Sequence, residues 1–160
     1  MALSQLNYYF VNKEGLFAAV LKMMTREYTS GLEERMGKCH SFVERITVLA
    51  AYNEEVLREN TSLYKAFLEF FNFSMWSESF KAEMVGFIAN ISTAIEVQIM
   101  RDGGERSQIL QFPPAVITRL ILAASFGLSI QYLLDPKDTR ILPGFDAIRS
   151  VIELSARNEP

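Results

Sequence analysis

Cysteine and histidine are almost absent from this chain of 160 residues, which contains one of each, Cys39 and His40. A single cysteine excludes a disulfide within the chain and fits a reducing compartment such as the cytosol. Two adjacent ligands are too few for a structural zinc site, although glutamates could complete one, and a Cys–His pair that performs nucleophilic chemistry normally meets across space rather than in sequence. We therefore expect both side chains on a solvent-facing loop, and we expect neither an enzyme nor a cofactor or metal site.

Positive charge is also scarce, because 16 Lys and Arg stand against 19 Asp and Glu, for a net charge of −3. A nucleic-acid-binding protein usually carries a basic patch or stripe, and this balance provides none across the chain as a whole. No Gly-rich phosphate-binding loop follows a strand, since no alternating strand pattern extends beyond four or five residues.

Prolines are few and fall at junctions or at the terminus, which leaves long uninterrupted helical patterns between them. The length is that of one domain. The sequence therefore predicts an all-α fold with a linker at 105–112 and helices at 12–36, 41–60, 62–76, 78–101, 114–134 and 144–157.

The N-terminal segment predicts the end of one helix and the beginning of another. Leu6, Tyr9 and Phe10 recur at i, i+3 and i+4, which places them on one apolar face. Asn12 is a preferred N-cap residue, and Glu14 would lie in the first turn, where the helix dipole favours an acid. A short connection near residue 11 is therefore expected.

The residues of this segment, LNYYFVNKEGLF at 6–17, resemble a motif of TetR-type transcription regulators. In that family the motif joins the DNA-recognition helix to the regulatory body. The resemblance implies that 1–11 is a remnant of the recognition helix of a helix-turn-helix head and that 12–160 is an effector-binding and dimerisation domain. The family has two helices before this point; either the sequence starts late or this is a headless member.

The resemblance also implies which residues would contact DNA. Tyr8 and Lys13 correspond to positions that often touch phosphates, which position a protein without reading base sequence. Ser4, Gln5 and Asn7 would lie on the recognition helix, where polar side chains reach base edges in the major groove. Asn7 stands where the family often has Tyr. Operator DNA would be bound only if the preceding helices of the head are present.

The two middle helices are rich in phenylalanine, and their apolar residues allow two interpretations. They could be simple core, or they could line a cavity for a small apolar or aromatic effector, with methionine as an adaptable wall. The resemblance favours the cavity, because TetR-type bodies usually enclose an effector pocket. The predicted ligand-binding residues are Phe67, Phe70, Phe71, Met84, Phe87 and Ile91.

The segment 114–134 is apolar on every face, and Arg119 is its only charged residue. A helix of this kind must be covered on all sides. It barely reaches the length of a membrane span, contains several polar residues and lacks flanking anchors, so we expect no membrane contact. A second copy is the alternative, with 144–157 completing a four-helix interface of two-fold symmetry, as the resemblance also implies. The predicted dimer-interface residues are Leu120, Ala123, Ala124, Gly127, Ile130, Ile148 and Ile152.

Together these features predict a cytoplasmic homodimer that regulates transcription in response to a ligand, repression being the commoner mode in the family. The alternative is a headless small-molecule-binding or dimerisation protein with no direct DNA binding. A small helical enzyme would need a constellation of catalytic groups that the sequence does not contain.

Overall fold

The computed structural model describes residues 3–101 and 112–157, with the side chains of 15–101, 112–151, 153 and 154. This part of the chain forms helices without any strand, so the all-α prediction is confirmed. Most of the predicted linker at 105–112 lies outside it. The six helices are α1 (Leu3–Met36), α2 (Phe42–Glu59), α3 (Thr61–Ser74), α4 (Glu78–Ile99), α5 (Pro114–Leu134) and α6 (Pro143–Arg157).

The predicted break near residue 11 is wrong, because α1 is one continuous helix of 34 residues from Leu3 to Met36. Asn12 therefore lies inside a helix instead of capping one. The physical reason is that Asn costs a helix interior less than about 1 kcal/mol relative to Ala, and even Gly costs only about that much. No proline interrupts the segment, so the backbone hydrogen bonds continue through it. The proposed boundary between 1–11 and 12–160 is not a helix boundary.

The beginning of α2 is capped by two residues close together in the sequence, the N-cap Ser41 and Glu44 three positions later. The Ser41 hydroxyl accepts a hydrogen bond from the Glu44 backbone N–H at 3.1 Å, and the Glu44 carboxylate accepts one from the Ser41 backbone N–H at 3.3 Å. This reciprocal capping box satisfies two N–H groups that the helix would otherwise leave without partners. The Glu44 carboxylate also accepts a hydrogen bond from the His40 backbone N–H at 2.7 Å. This bond and the one from the Ser41 N–H lower the pKa of the Glu44 carboxyl.

We predict that Ser41→Ala lowers the free energy of unfolding by about 1 kcal/mol, because the N-cap hydrogen bond is lost. Ser77, the N-cap of α4, makes no side-chain capping bond and is the matched control. Ser77→Ala is expected to change stability by no more than a few tenths of that value. Urea unfolding of the two variants and the parent measures the difference, and equal losses in both variants would contradict the capping role.

The core consists of two adjoining apolar clusters. The larger one joins α1, α2, α4 and α5, and its fully buried members include Leu32, Ile46, Leu49 and Ile95. The smaller one surrounds Phe17 of α1, whose ring meets the rings of Phe70 and Phe80 edge-on at centroid distances of 4.3 and 4.6 Å. Because α1 belongs to both clusters, it connects the N-terminal end of the body to its centre.

Candidate functional site

A small cavity lies among α1 to α5, between the two core clusters. Its volume is about 70 Å³. The wall is mostly apolar, with polar groups contributed by Tyr28 of α1, Asn53 of α2, Tyr64 of α3 and Ser125 of α5. A cavity with an apolar wall and a few convergent polar groups is the usual form of a small-molecule site. The apolar wall comprises Met24, Val56, Leu63, Phe67, Phe87, Ile91, Leu122 and Phe126.

Three of the six predicted ligand-binding residues line this cavity, namely Phe67, Phe87 and Ile91. The other three, Phe70, Phe71 and Met84, do not line it. Phe70 and Met84 pack in the cluster around Phe17, because they lie on the sides of α3 and α4 that face the N-terminal half of α1.

The structure corrects the prediction for Phe71, which does not line the cavity and is 41% exposed. Its ring centroid lies 6.4 Å from that of Phe67. The two residues share a stripe of α3, but Phe71 is one turn nearer to the end of the helix at Ser74. The side chain of Phe71 is therefore less covered than that of Phe67, which is 5% exposed.

The polar groups of the cavity form a hydrogen-bonded chain that joins three helices. The Tyr28 hydroxyl donates to Asn53 Oδ1 at 2.8 Å, and Asn53 Nδ2 donates to Ser125 Oγ at 3.0 Å. The Ser129 hydroxyl donates to the Ser125 carbonyl at 2.8 Å. Asn53 and Ser125 are each only 2% exposed. The chain therefore ties α1 through α2 to α5 at the cavity wall, where buried polar groups must find partners.

No ionisable group other than a tyrosine lines the cavity among the described residues. Burial raises the pKa of Tyr28 well above 10.0, and the neighbouring Tyr64 and Tyr52 phenols add to the shift. Burial also raises the pKa of Tyr64, while a hydrogen bond with the Ser129 side chain opposes it. Both phenols are therefore protonated at neutral pH, and the cavity wall carries no charge.

Aromatic rings form one side of the cavity. Phe67 stacks on Phe126, with ring centroids 5.3 Å apart and the planes 15° from parallel. The ring centroid of Phe87 lies 5.6 Å from that of Phe67. Phe67 is buried, whereas Phe87 and Phe126 are half-buried and contact both core clusters. Phe87 and Phe126 therefore lie beside the cavity where the two core clusters meet.

The inner side of α5 buries polar residues together with apolar ones, and its outer side exposes an apolar stripe. Thr118, Ser125 and Ser129 are buried on its inner side. Leu120 and Leu134, on its outer side, are 69% and 80% exposed. A helix on the surface of a water-soluble protein normally presents polar and charged residues on its outer side. We call the exposed apolar stripe of α5, with the adjoining exposed residues of α6, the outer face; it comprises Val116, Leu120, Ala123, Ile130, Leu134, Val151 and Leu154.

Most of the predicted dimer-interface residues lie on or beside this outer face. Leu120, Ala123 and Ile130 are exposed, and Ala124 and Gly127 are half-buried along the apolar groove between α5 and α6. The side chain of Ile152 lies outside the described part of the chain. Ile148 lines the same groove but is half-buried against the chain's own core, because the first turns of α6 pack on α2 and α5.

By length and composition alone, one helix within the described residues, Pro114–Leu134, would be able to cross a membrane. A third of its most apolar window, 33%, is buried against the rest of the chain.

The structure places Cys39 and His40 just after α1. The Cys39 thiol lies 3.6 Å from the Arg35 carbonyl oxygen, and His40 is exposed. Burial and the Glu44 carboxylate raise the pKa of the thiol, while Arg45 opposes the shift. A thiol whose pKa is raised is a poor nucleophile. Within the ranges 3–101 and 112–157, no three His, Cys, Asp or Glu side chains come together as metal ligands.

The predicted DNA-binding residues Ser4, Gln5, Asn7, Tyr8 and Lys13 all lie in the first part of the continuous α1. Their side chains are outside the described set, and DNA binding stays a prediction for them. Lys13 shares one helix with the other four, rather than beginning a separate helix after a connection.

The sequence interpretation missed the polar residues of the cavity, above all Tyr28, Asn53 and Ser125. One signal was present: Ser125 and Ser129 are polar residues four positions apart within an otherwise apolar helix, so they mark one side of it. No comparable signal distinguishes Asn53, because it adjoins the acidic Glu54-Glu55 pair on a helix with many exposed polar residues.

Fold and site together define an all-helical domain that encloses a neutral cavity and presents an apolar outer face. Comparisons with protein-family models, with curated proteins and with solved structures found no match to this chain. The resemblance to TetR-type regulators therefore depends on residues 6–17 and stays a prediction.

Proposed function

We propose that this chain is the effector-binding and dimerisation body of a ligand-responsive transcription regulator of TetR type, acting as a repressor. The main support for the proposal is that the cavity wall includes residues of two helices with separate tasks, α1 and α5. Tyr28 belongs to the helix that would lead to a DNA-reading head, and Ser125 belongs to the helix with the apolar outer face. Asn53 joins the two at the cavity wall.

In the proposed mechanism, the effector binds one of two conformations of the body more tightly than the other. The helix α1 is the mechanical link, since Met24 and Tyr28 line the cavity and the same helix continues to Leu3. A rotation or tilt of α1 at Tyr28 would move its N-terminal end. In a homodimer held together by the outer face, that movement changes the spacing of two DNA-reading heads.

The volume of the cavity fits such a two-state mechanism. Small-molecule pockets commonly measure about 300 to 1,000 Å³, whereas this cavity measures about 70 Å³. An effector larger than a few heavy atoms must therefore displace part of the wall. Because five helices form the wall, an effector that opens it changes the packing of at least one of them, and the proposed mechanism requires that α1 is among those that move.

A second candidate function keeps the fold and omits DNA: a ligand-binding protein, or a dimerisation partner that inactivates a full-length relative. The continuous α1 favours this candidate, because the break expected between a recognition helix and the body is absent. The net charge of −3 also favours it.

A gel mobility-shift experiment separates the two candidates. The transcript start in the source genome is mapped, and any in-frame codons before Met1 are added to the expressed protein. The regulator predicts that the extended protein binds DNA from around its own gene, while the 160-residue chain does not. A transcript that begins directly before Met1, with no DNA binding by the protein it encodes, would favour the ligand-binding protein without a head.

A further inference from the structure

We infer that the cavity accepts an uncharged molecule with a ring-sized apolar body and one hydroxyl or carbonyl group, and that Asn53 forms the hydrogen bond to that group. The inference rests on the proposed function only in naming this molecule the effector. It follows from the charge, the hydrogen-bonding capacity and the aromatic wall of the cavity.

Charged molecules are disfavoured by the composition of the wall. The described residues around the cavity include no Lys, Arg, His, Asp or Glu, so an ion inside it would have no counter-charge. A buried ion without a partner loses its hydration and gains too little in return. The Tyr28 and Tyr64 phenols are protonated and supply dipoles rather than charge.

The Asn53 amide has the capacity to bind one polar group of a ligand. A primary amide carries two N–H groups and an oxygen with two lone pairs. The bonds to Tyr28 and Ser125 use one N–H group and one lone pair. Asn53 can therefore donate to a carbonyl or accept from a hydroxyl while it keeps both of its present partners.

The aromatic wall indicates a planar apolar body. Phe67 and Phe126 already form a stacked pair beside the cavity, and Phe126 is only half-buried. A cavity of about 150 Å³ holds benzene, and the present volume of about 70 Å³ is smaller. A ring that enters must therefore displace part of the wall, and we infer that the half-buried Phe126 side chain moves and leaves the ring a place against Phe67. Rings that stack in an offset or edge-on manner gain energy beyond that of simple burial.

Binding of phenol, toluene and benzoate to the purified chain at neutral pH tests the inference. The three probes share a ring and differ in having a hydroxyl group, no polar group, or a charge. Calorimetric titration is expected to show saturable phenol binding, about fivefold weaker toluene binding from the loss of one hydrogen bond, and no benzoate binding. Benzoate binding as tight as that of phenol, toluene binding equal to that of phenol, or no phenol binding would each overturn the inference.

Asn53→Ala tests the assigned contact. This variant is expected to remove the preference for phenol over toluene, whereas Asn72→Ala, which alters an exposed amide on α3, is expected to retain it. Should Asn53→Ala fail to fold, Ser125→Ala perturbs the same amide with a smaller loss of volume and is expected to reduce the preference. An unchanged preference in the folded variant would overturn the role of Asn53.

These measurements contain no DNA, so they are independent of the proposed function. Phenol binding without any DNA binding by the extended protein would support the ligand class and overturn the regulator. DNA binding by the extended protein, together with benzoate binding as tight as that of phenol, would support the regulator and overturn the ligand class.

Discussion

The Gly127→Leu variant is expected to self-associate about fivefold or more weakly than the parent chain, because overpacking typically costs about 1 to 3 kcal/mol. A Cβ atom added at Gly127 meets nothing within 4 Å in the chain itself. The single chain therefore has room for a Cβ atom at this position, and we expect the longer leucine side chain to obstruct a second copy that covers the groove between α5 and α6. Sedimentation over a range of concentrations measures the dissociation constant.

Gly86 on α4 supplies the matched control, since a Cβ atom added there also meets nothing within 4 Å. Gly86→Leu carries the same gain in volume and helix propensity but lies away from the outer face. It is expected to leave self-association unchanged. A parent chain that is monomeric at all concentrations, or a Gly127→Leu variant with unchanged dimer mass, would contradict a dimer formed through α5 and α6.

Phe67→Ala is expected to lower the free energy of unfolding by about 3 to 5 kcal/mol, the range for removing a buried phenylalanine. Phe67 is 5% exposed, and its ring packs against Phe87 and Phe126. The loss combines the transfer free energy of the ring with the cost of the space left beside the cavity. Denaturant unfolding monitored by circular dichroism measures it.

Phe71→Ala is the control for this prediction, because it removes the same atoms one turn further along α3. Phe71 is 41% exposed, so much of its apolar surface already faces water. A loss smaller than about 1 kcal/mol is expected, in line with substitutions outside the core. Similar losses for the two variants would contradict the different burial of these residues.

The phenylalanines of α3 also show what a helical sequence pattern does not predict. Phe67, Phe70 and Phe71 belong to one apolar region of the helix, and all three were predicted to bind the ligand. Helical periodicity assigns a residue to a face, but the neighbouring helices decide what that face meets. Phe67 meets the cavity, Phe70 meets Phe17, and Phe71 meets solvent.

The sequence by itself determined the helical class and the approximate ends of most helices, because prolines are local signals of where a helix begins or ends. It also predicted a helix at 114–134 that is apolar on every face, whereas the structure shows that its buried side includes Thr118, Ser125 and Ser129. These properties depend on residues within a few turns of one another, so a linear pattern contains them. The continuity of α1 was missed, since the preference of Asn12 for a cap is weaker than the hydrogen bonding of a continuing helix.

Only the tertiary structure decided which residues form the cavity. Asn53 and Ser125 are 72 positions apart in the chain and meet at 3.0 Å. Tyr28 reaches Asn53 from a third helix. Such contacts arise when helices pack, and the hydrophobic effect that drives packing is non-directional, so the pattern of one helix does not specify which residues of another helix it meets. The neutral polar chain at the cavity wall is therefore a property of the folded chain, and the sequence showed only its serines.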